Sequence, residues 1–185
     1  MLSLDRLKYI EGIQKYTRFS VVTTIAIAIV VLVIIVVSHT VIKEKELSDI
    51  LYSPFLMITV VALLLYCFIL YRIKQRTQRL QELIEQMSEE EFQFLLQAQS
   101  FLSFYGKYAP TFVICRDRLY LFTLFEIKEI DPKKVEKVAY HYARGGSFLV
   151  EIQSPETTKL EVYTSSFPYL KSLIRKYNPN ADIKD

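Results

Sequence analysis

Tryptophan is absent from the 185 residues, and glycine, cysteine and histidine are rare, at four, two and two. Cys67 lies in an apolar run and Cys115 in a strand-like one, so no CxxC pair or disulfide framework exists, which suits a reduced compartment. His39 and His141 stand in unlike surroundings and cannot share a metal ion, so no metal or other cofactor is expected. The chain holds no P-loop, G-x-G-x-x-G, G-x-S-x-G, H-E-x-x-H or EF-hand pattern. A formal net charge of +3 is too mild for a dedicated nucleic-acid binder. Aromatic residues are abundant, with 12 Phe and 13 Tyr, and together with scarce glycine they argue against disorder.

Asp, Glu, Lys and Arg are missing altogether from two stretches, 20–42 and 50–71. Each is long enough to cross a hydrocarbon core as a helix, where the backbone has no partner but itself. The sequence therefore predicts transmembrane helices over 19–42 and 50–71, joined by a short external loop, 43–49, into an antiparallel hairpin. Pro54 falls near the start of the second helix, where its missing N–H costs least.

Lys and Arg in the flanks set the expected direction. Arg6, Lys8, Lys15 and Arg18 precede the first run, Lys43 and Lys45 lie between the two, and Arg72, Lys74, Arg76 and Arg79 follow. This pattern places both termini in the cytoplasm. The cluster Arg72, Lys74, Arg76 and Arg79 reads as a topology signal that also meets lipid headgroups, each charge gaining on the order of 1 kcal/mol there. The expected location is a bacterial plasma membrane, with the lipid bilayer as one partner. Residues 1–18 form a cytoplasmic flank with Leu2, Leu7, Ile10, Ile13 and Tyr16 on one side, the pattern of a short interfacial helix. Arg6 and Gln14 fall on its apolar side, and Gly12 weakens it.

Residues 72–106 read as a helical linker. Leu80, Leu83, Ile84 and Met87 make a helical stripe. Ser88 and Glu91 make a capping-box pattern, the start of a fresh helix carrying Phe92, Leu95, Leu96, Phe101 and Leu102 and ending at Gly106. Residues 107–185 read as a cytoplasmic sheet-plus-helix domain, in which the period falls to two from about Pro110, as in strands. "FVIC" and "LYLF" are separated by a turn at Asp117-Arg118. Asp131-Pro132 marks a turn or a single helical turn, Gly145-Gly146 a hairpin and Ser154-Pro155-Glu156 another turn. Phe167, Leu170, Leu173, Ile174 and Tyr177 then form the stripe of a closing amphipathic helix, with Lys171, Arg175 and Lys176 facing away. The expected fold is a membrane helical hairpin plus a cytoplasmic α+β domain, an antiparallel sheet of four or five strands covered by one helix.

The segments "FVICRDRLYLF", "IKEIDPKKVEKVAYHY", "SFLVEIQS", "KLEVYTS" and "FPYLKSLIRKY" together resemble the bacterial pleckstrin-homology-like domains carried behind one or two membrane spans. The likeness covers about 110 to 177 and includes no invariant chemical motif. That fold commonly has seven strands, and this sequence departs from it by lacking an obvious extra strand pair; the resemblance does not itself assign a function.

The expected function is non-enzymatic: a membrane-anchored adaptor that presents its cytoplasmic domain to a protein partner, a membrane complex or another copy of itself, without nucleic acid. Tyr140, His141, Tyr142 and Arg144 in "YHYAR" are the candidate partner surface. A module sensing anionic lipid through Lys133, Lys134, Lys137 and Arg144 is the alternative reading, and an enzyme with an unrecognised site near Cys115 or His141 a third.

Overall fold

The computed structural model describes the backbone of residues 3–43, 54–123, 126–143 and 145–183, and within these the side chains other than 31–32, 34–60 and 105. Helix α1 runs over Leu4–Lys43 and α2 over Pro54–Gln86. After Ser88 the chain starts α3, Glu89–Gln99, and a short α4, Phe104–Tyr108. Six strands follow: β1 Phe112–Cys115, β2 Arg118–Phe122, β3 Ile127–Ile130, β4 Lys137–Ala143, β5 Ser147–Ser154 and β6 Glu156–Tyr163. A 3-10 turn, Pro132–Lys134, links β3 to β4, and α5, Phe167–Tyr177, precedes a last short strand, β7, Asp182–Ile183.

Two compact units divide the chain. One joins Met1–Ile13 to Gln78–Asp185, and the other is Gln14–Thr77. Within the second unit the Thr17 hydroxyl donates to Thr77 Oγ1 at 3.1 Å, and Thr77 donates to the Ile73 carbonyl at 2.8 Å. Val22 and Leu64, each 65% exposed, are among the apolar side chains this unit leaves uncovered.

The expected membrane hairpin is corrected here. Among the described residues no helix is long and apolar enough to cross a membrane. The two-span membrane protein with cytoplasmic termini in a plasma membrane, inferred from runs 19–42 and 50–71, loses its support. The proposed external loop, 43–49, lies outside the described residues, apart from Lys43 at the end of α1.

In the first unit, the expected single sheet of four or five strands is two sheets. One is antiparallel in the order β1-β2-β3, and the other runs β6-β5-β4-β7, with β7 parallel to β4. Among the described residues six strands precede the closing helix and a seventh follows it. The sequence obscured β7 because two residues are too few to show a period.

The apolar residues explain the layering. On β5 and β6, Val150, Ile152, Leu160 and Val162 point into a core shared with Leu119, Leu121 and the Phe167, Leu170, Leu173 and Ile174 stripe of α5. Their alternate neighbours are largely polar, the signature of a sheet with one buried face. Strand β1 is buried on both faces. Phe112 and Ile114 enter that first core, while Val113 and Cys115 enter a second, with Tyr120 and Phe122 of β2. This second core is completed by Leu80, Leu83, Ile84 and Met87 from the end of α2, by Phe92 and Leu95 of α3, and by Tyr9 and Ile13 of α1. The near-continuous apolar runs "FVIC" and "LYLF" belong to a sheet held between two apolar layers.

The local signals fare unequally. The capping box forms in full: Ser88 Oγ accepts from the Glu91 backbone N–H, and the Glu91 carboxylate accepts from the Ser88 N–H at 2.7 Å. Asp131 caps the 3-10 turn by accepting from the Lys133 N–H at 3.0 Å. Helix α3 stops at Gln99, short of the Gly106 that the sequence suggested, and Phe101 is left 74% exposed. The β1–β2 turn centres on Arg116-Asp117, one position earlier than expected, with φ of +53° and +60°. Two residues at positive φ match the twist of a hairpin, a conformation that glycine or asparagine adopts at less cost.

Candidate partner-binding surface

Strand alternation sorts the residues of "YHYAR" onto opposite faces. Tyr142 stands opposite Phe148 and Tyr140 opposite Val150, on the face that carries the core. His141, opposite Leu149, lies on the other face. Arg144 lies outside the described residues. The predicted quartet therefore divides, and two of its members, Tyr140 and Tyr142, share a face.

Those two tyrosines belong to a larger aromatic group. The Tyr140 ring lies 4.5 Å from that of Phe167 and 5.1 Å from that of Phe148, and Phe148 and Phe167 are 5.1 Å apart. Tyr142 meets Phe148 edge-on at 5.8 Å. Edge-to-face and tilted geometries at these separations are the favourable ones for aromatic quadrupoles, worth about 0.5–1.5 kcal/mol per pair. Phe167 is buried and Tyr140 and Phe148 are half-buried, whereas Tyr142 is 70% exposed at the rim. Beside it, Gly145 and Gly146 turn the chain at φ of +84° and +77°, with nothing within 4 Å of where a Cβ would stand. The Lys171 ammonium sits 5.9 Å from the Tyr140 ring centre and 5.8 Å from that of Phe167. The group thus has a buried base, a polarisable rim and one cation against its rings.

The partner surface expected from the sequence leaves out Phe148 and Phe167. The available signal was the strand register across Gly145-Gly146, which sets Phe148 against Tyr142. Lys171 was read as a solvated charge, and only the tertiary fold brings it over Tyr140.

The face bearing His141 has a different character. Lys159 lies 2.6 Å from Glu151, and this bond holds the Glu151 carboxylate below its ordinary range, with His141 adding to the effect. The Ser147 hydroxyl donates to Glu161. This is a solvated polar surface.

Of the proposed topology residues, Arg72 donates to Gln75 at 3.1 Å and Lys74 is exposed, both in the second unit, as is the half-buried Arg76. Arg79 belongs to the first unit, where it bonds Glu82 at 2.9 Å and lies 5.7 Å over the Tyr120 ring. Cys115 is buried, and its thiol contacts the Leu83 carbonyl at 3.6 Å. Burial first, and then Glu91, raise its pKa, the opposite of what activates a nucleophile. Among the described residues no three His, Cys, Asp or Glu side chains gather as a metal site.

No protein-family model matches the chain, and no curated protein or solved structure matches it either.

Proposed function

We propose that the unit formed by 1–13 and 78–185 is a non-enzymatic binding module of the pleckstrin-homology-like kind, an adaptor for a protein partner. Antiparallel strands followed by a covering amphipathic helix support that likeness. The observation that carries the binding role is Tyr142, a large aromatic side chain 70% exposed at the rim of an otherwise packed aromatic group. Rigid aromatics that offer much area at little entropic cost are the usual anchors of protein interfaces.

Co-purification with the affinity-tagged chain from its native cells tests the role. A partner retained by the parent chain and by His141→Ala, but lost with Tyr142→Ala, supports it. A chain that retains no specific partner, or whose partner survives Tyr142→Ala, contradicts it.

A further inference from the structure

Positive charge lies beside the aromatic group on α5 and again on the 3-10 turn at the far end of that helix. Helix α5 contains Lys171, Arg175 and Lys176 and no acidic residue. Lys171 and Arg175 lie one turn apart on the same ridge. At the far end of the helix, Asn178 Nδ2 donates to the Val135 carbonyl at 2.9 Å and so binds the helix terminus to the 3-10 turn. That turn presents Lys133 and Lys134, both exposed. Two acids flank the turn: Asp131, whose carboxylate accepts from the Lys133 N–H and lies 3.8 Å from Arg118, and the exposed Glu136 on its other side. Helix α5 joins the aromatic group through Lys171, which lies over Tyr140 and Phe167.

We infer that this surface, from the 3-10 turn along α5 to Tyr142, binds an acidic peptide segment of a partner protein. An apolar or aromatic residue of that segment seats on Tyr140, Phe148 and Tyr142. The inference rests on the binding-module reading above and names the chemistry of its partner. Charge complementarity sets orientation and encounter rate, and the aromatic rim supplies the anchor. An α5 of 11 residues is about 16 Å long, so an extended segment of roughly eight residues, about 27 Å, spans the helix and reaches the rim.

The test uses the purified 185-residue chain and a fluorescein-labelled peptide of about eight residues, Asp and Glu around a central Leu-Phe pair, read by anisotropy. Companion peptides replace the acids by Lys, or the Leu-Phe pair by Gly-Gly. The acidic Leu-Phe peptide is expected to bind best. Its affinity should fall by about tenfold when salt rises from roughly 0.05 M to 0.5 M. Lys171→Glu should weaken it by about tenfold or more, and Lys134→Glu, on an exposed turn where folding is not at stake, by several-fold. Equal binding of all three peptides, binding indifferent to salt and to Lys134→Glu, or binding of phosphatidylglycerol vesicles but of no peptide would overturn the inference. If a partner co-purifies through Tyr142 while the acidic peptide does not bind, the inference fails and the module reading stands. If neither binds, both fail.

Discussion

Nη1 of Arg6 donates a hydrogen bond to the Met87 carbonyl at 2.7 Å, across 81 positions of sequence. The same nitrogen reaches the Ile84 carbonyl at 3.4 Å, and Nη2 reaches Glu89 at 3.1 Å. These carbonyls lie at and just beyond the end of α2, where a helix has acceptors without partners, and a guanidinium fork fits them well. Phe92 lies beneath, 5.2 Å from the guanidinium carbon. The residue that looked misplaced on an apolar side helps to fasten the N-terminal segment to the rest of its unit, together with Tyr9, whose hydroxyl donates to the Lys107 carbonyl.

Arg6→Ala should therefore destabilise this unit. Hydrogen bonds to charged groups contribute about 1.5–3 kcal/mol, and the expected loss is about 2–3 kcal/mol. Arg6→Lys should recover only part of it, because one ammonium cannot reproduce the fork. Denaturant titration followed by circular dichroism checks both, since the chain has no tryptophan to report.

Gly12 allows the Tyr108 ring to approach α1. A Cβ at position 12 would collide with that ring. Alanine is the better helix former by about 1 kcal/mol, yet Gly12→Ala is expected to destabilise by roughly 1–3 kcal/mol because the ring must move. Tyr108→Ala in the same chain should remove that penalty. A double-mutant cycle with no coupling between positions 12 and 108 would contradict the packing.

The β1–β2 turn gives a contrast between neighbours. Among the described residues the Arg116 side chain, at φ +53°, makes no hydrogen bond or ion pair, so Arg116→Gly should stabilise by up to about 1 kcal/mol. Asp117 at φ +60° accepts from the Tyr177 hydroxyl at 2.7 Å, and its N–H reaches Glu91 at 3.4 Å. Asp117→Gly relieves the same strain but loses the Tyr177 bond, so no net gain is expected. Thermal melts of the two variants check the difference.

Tyr177 also predicts a response to alkali. Burial, and then its bond to Asp117, raise its pKa from 10.0 to about 12. A group whose folded pKa is raised contributes stability below the unfolded value and loses it as pH climbs through the folded one. Stability should fall between pH 10.0 and about 12, and Tyr177→Phe should flatten that fall. Tyrosinate absorbance, together with denaturant midpoints across this window, tests it.

Much of the first unit was legible in the sequence. Ser88 with Glu91, Asp131-Pro132 and the Phe167 to Tyr177 stripe each carry a local signal that nothing overrides. The second core was not legible, because "FVIC" does not say that both its faces are covered. Covering it takes Tyr9 and Ile13, which lie about a hundred residues away in sequence and pack beside a charged Arg6. Leu7, which the periodicity sets on the apolar side with Ile10 and Ile13, is 51% exposed. The candidate surface was half legible: alternation in "YHYAR" was visible, but which face met α5 was settled only by pairing β4 with β5. The charge-free runs suggested more than the described helices support.

The most direct test of the proposed partner face is photo-crosslinking from single positions in cells. A benzophenone amino acid placed at Tyr142 should give one discrete protein adduct, and the same group at His141, one residue along and on the opposite face, should give none. The Tyr142 adduct should weaken with Lys171→Glu. An adduct from His141 and none from Tyr142, or equal adducts from both, would contradict the assignment of the partner to the aromatic face.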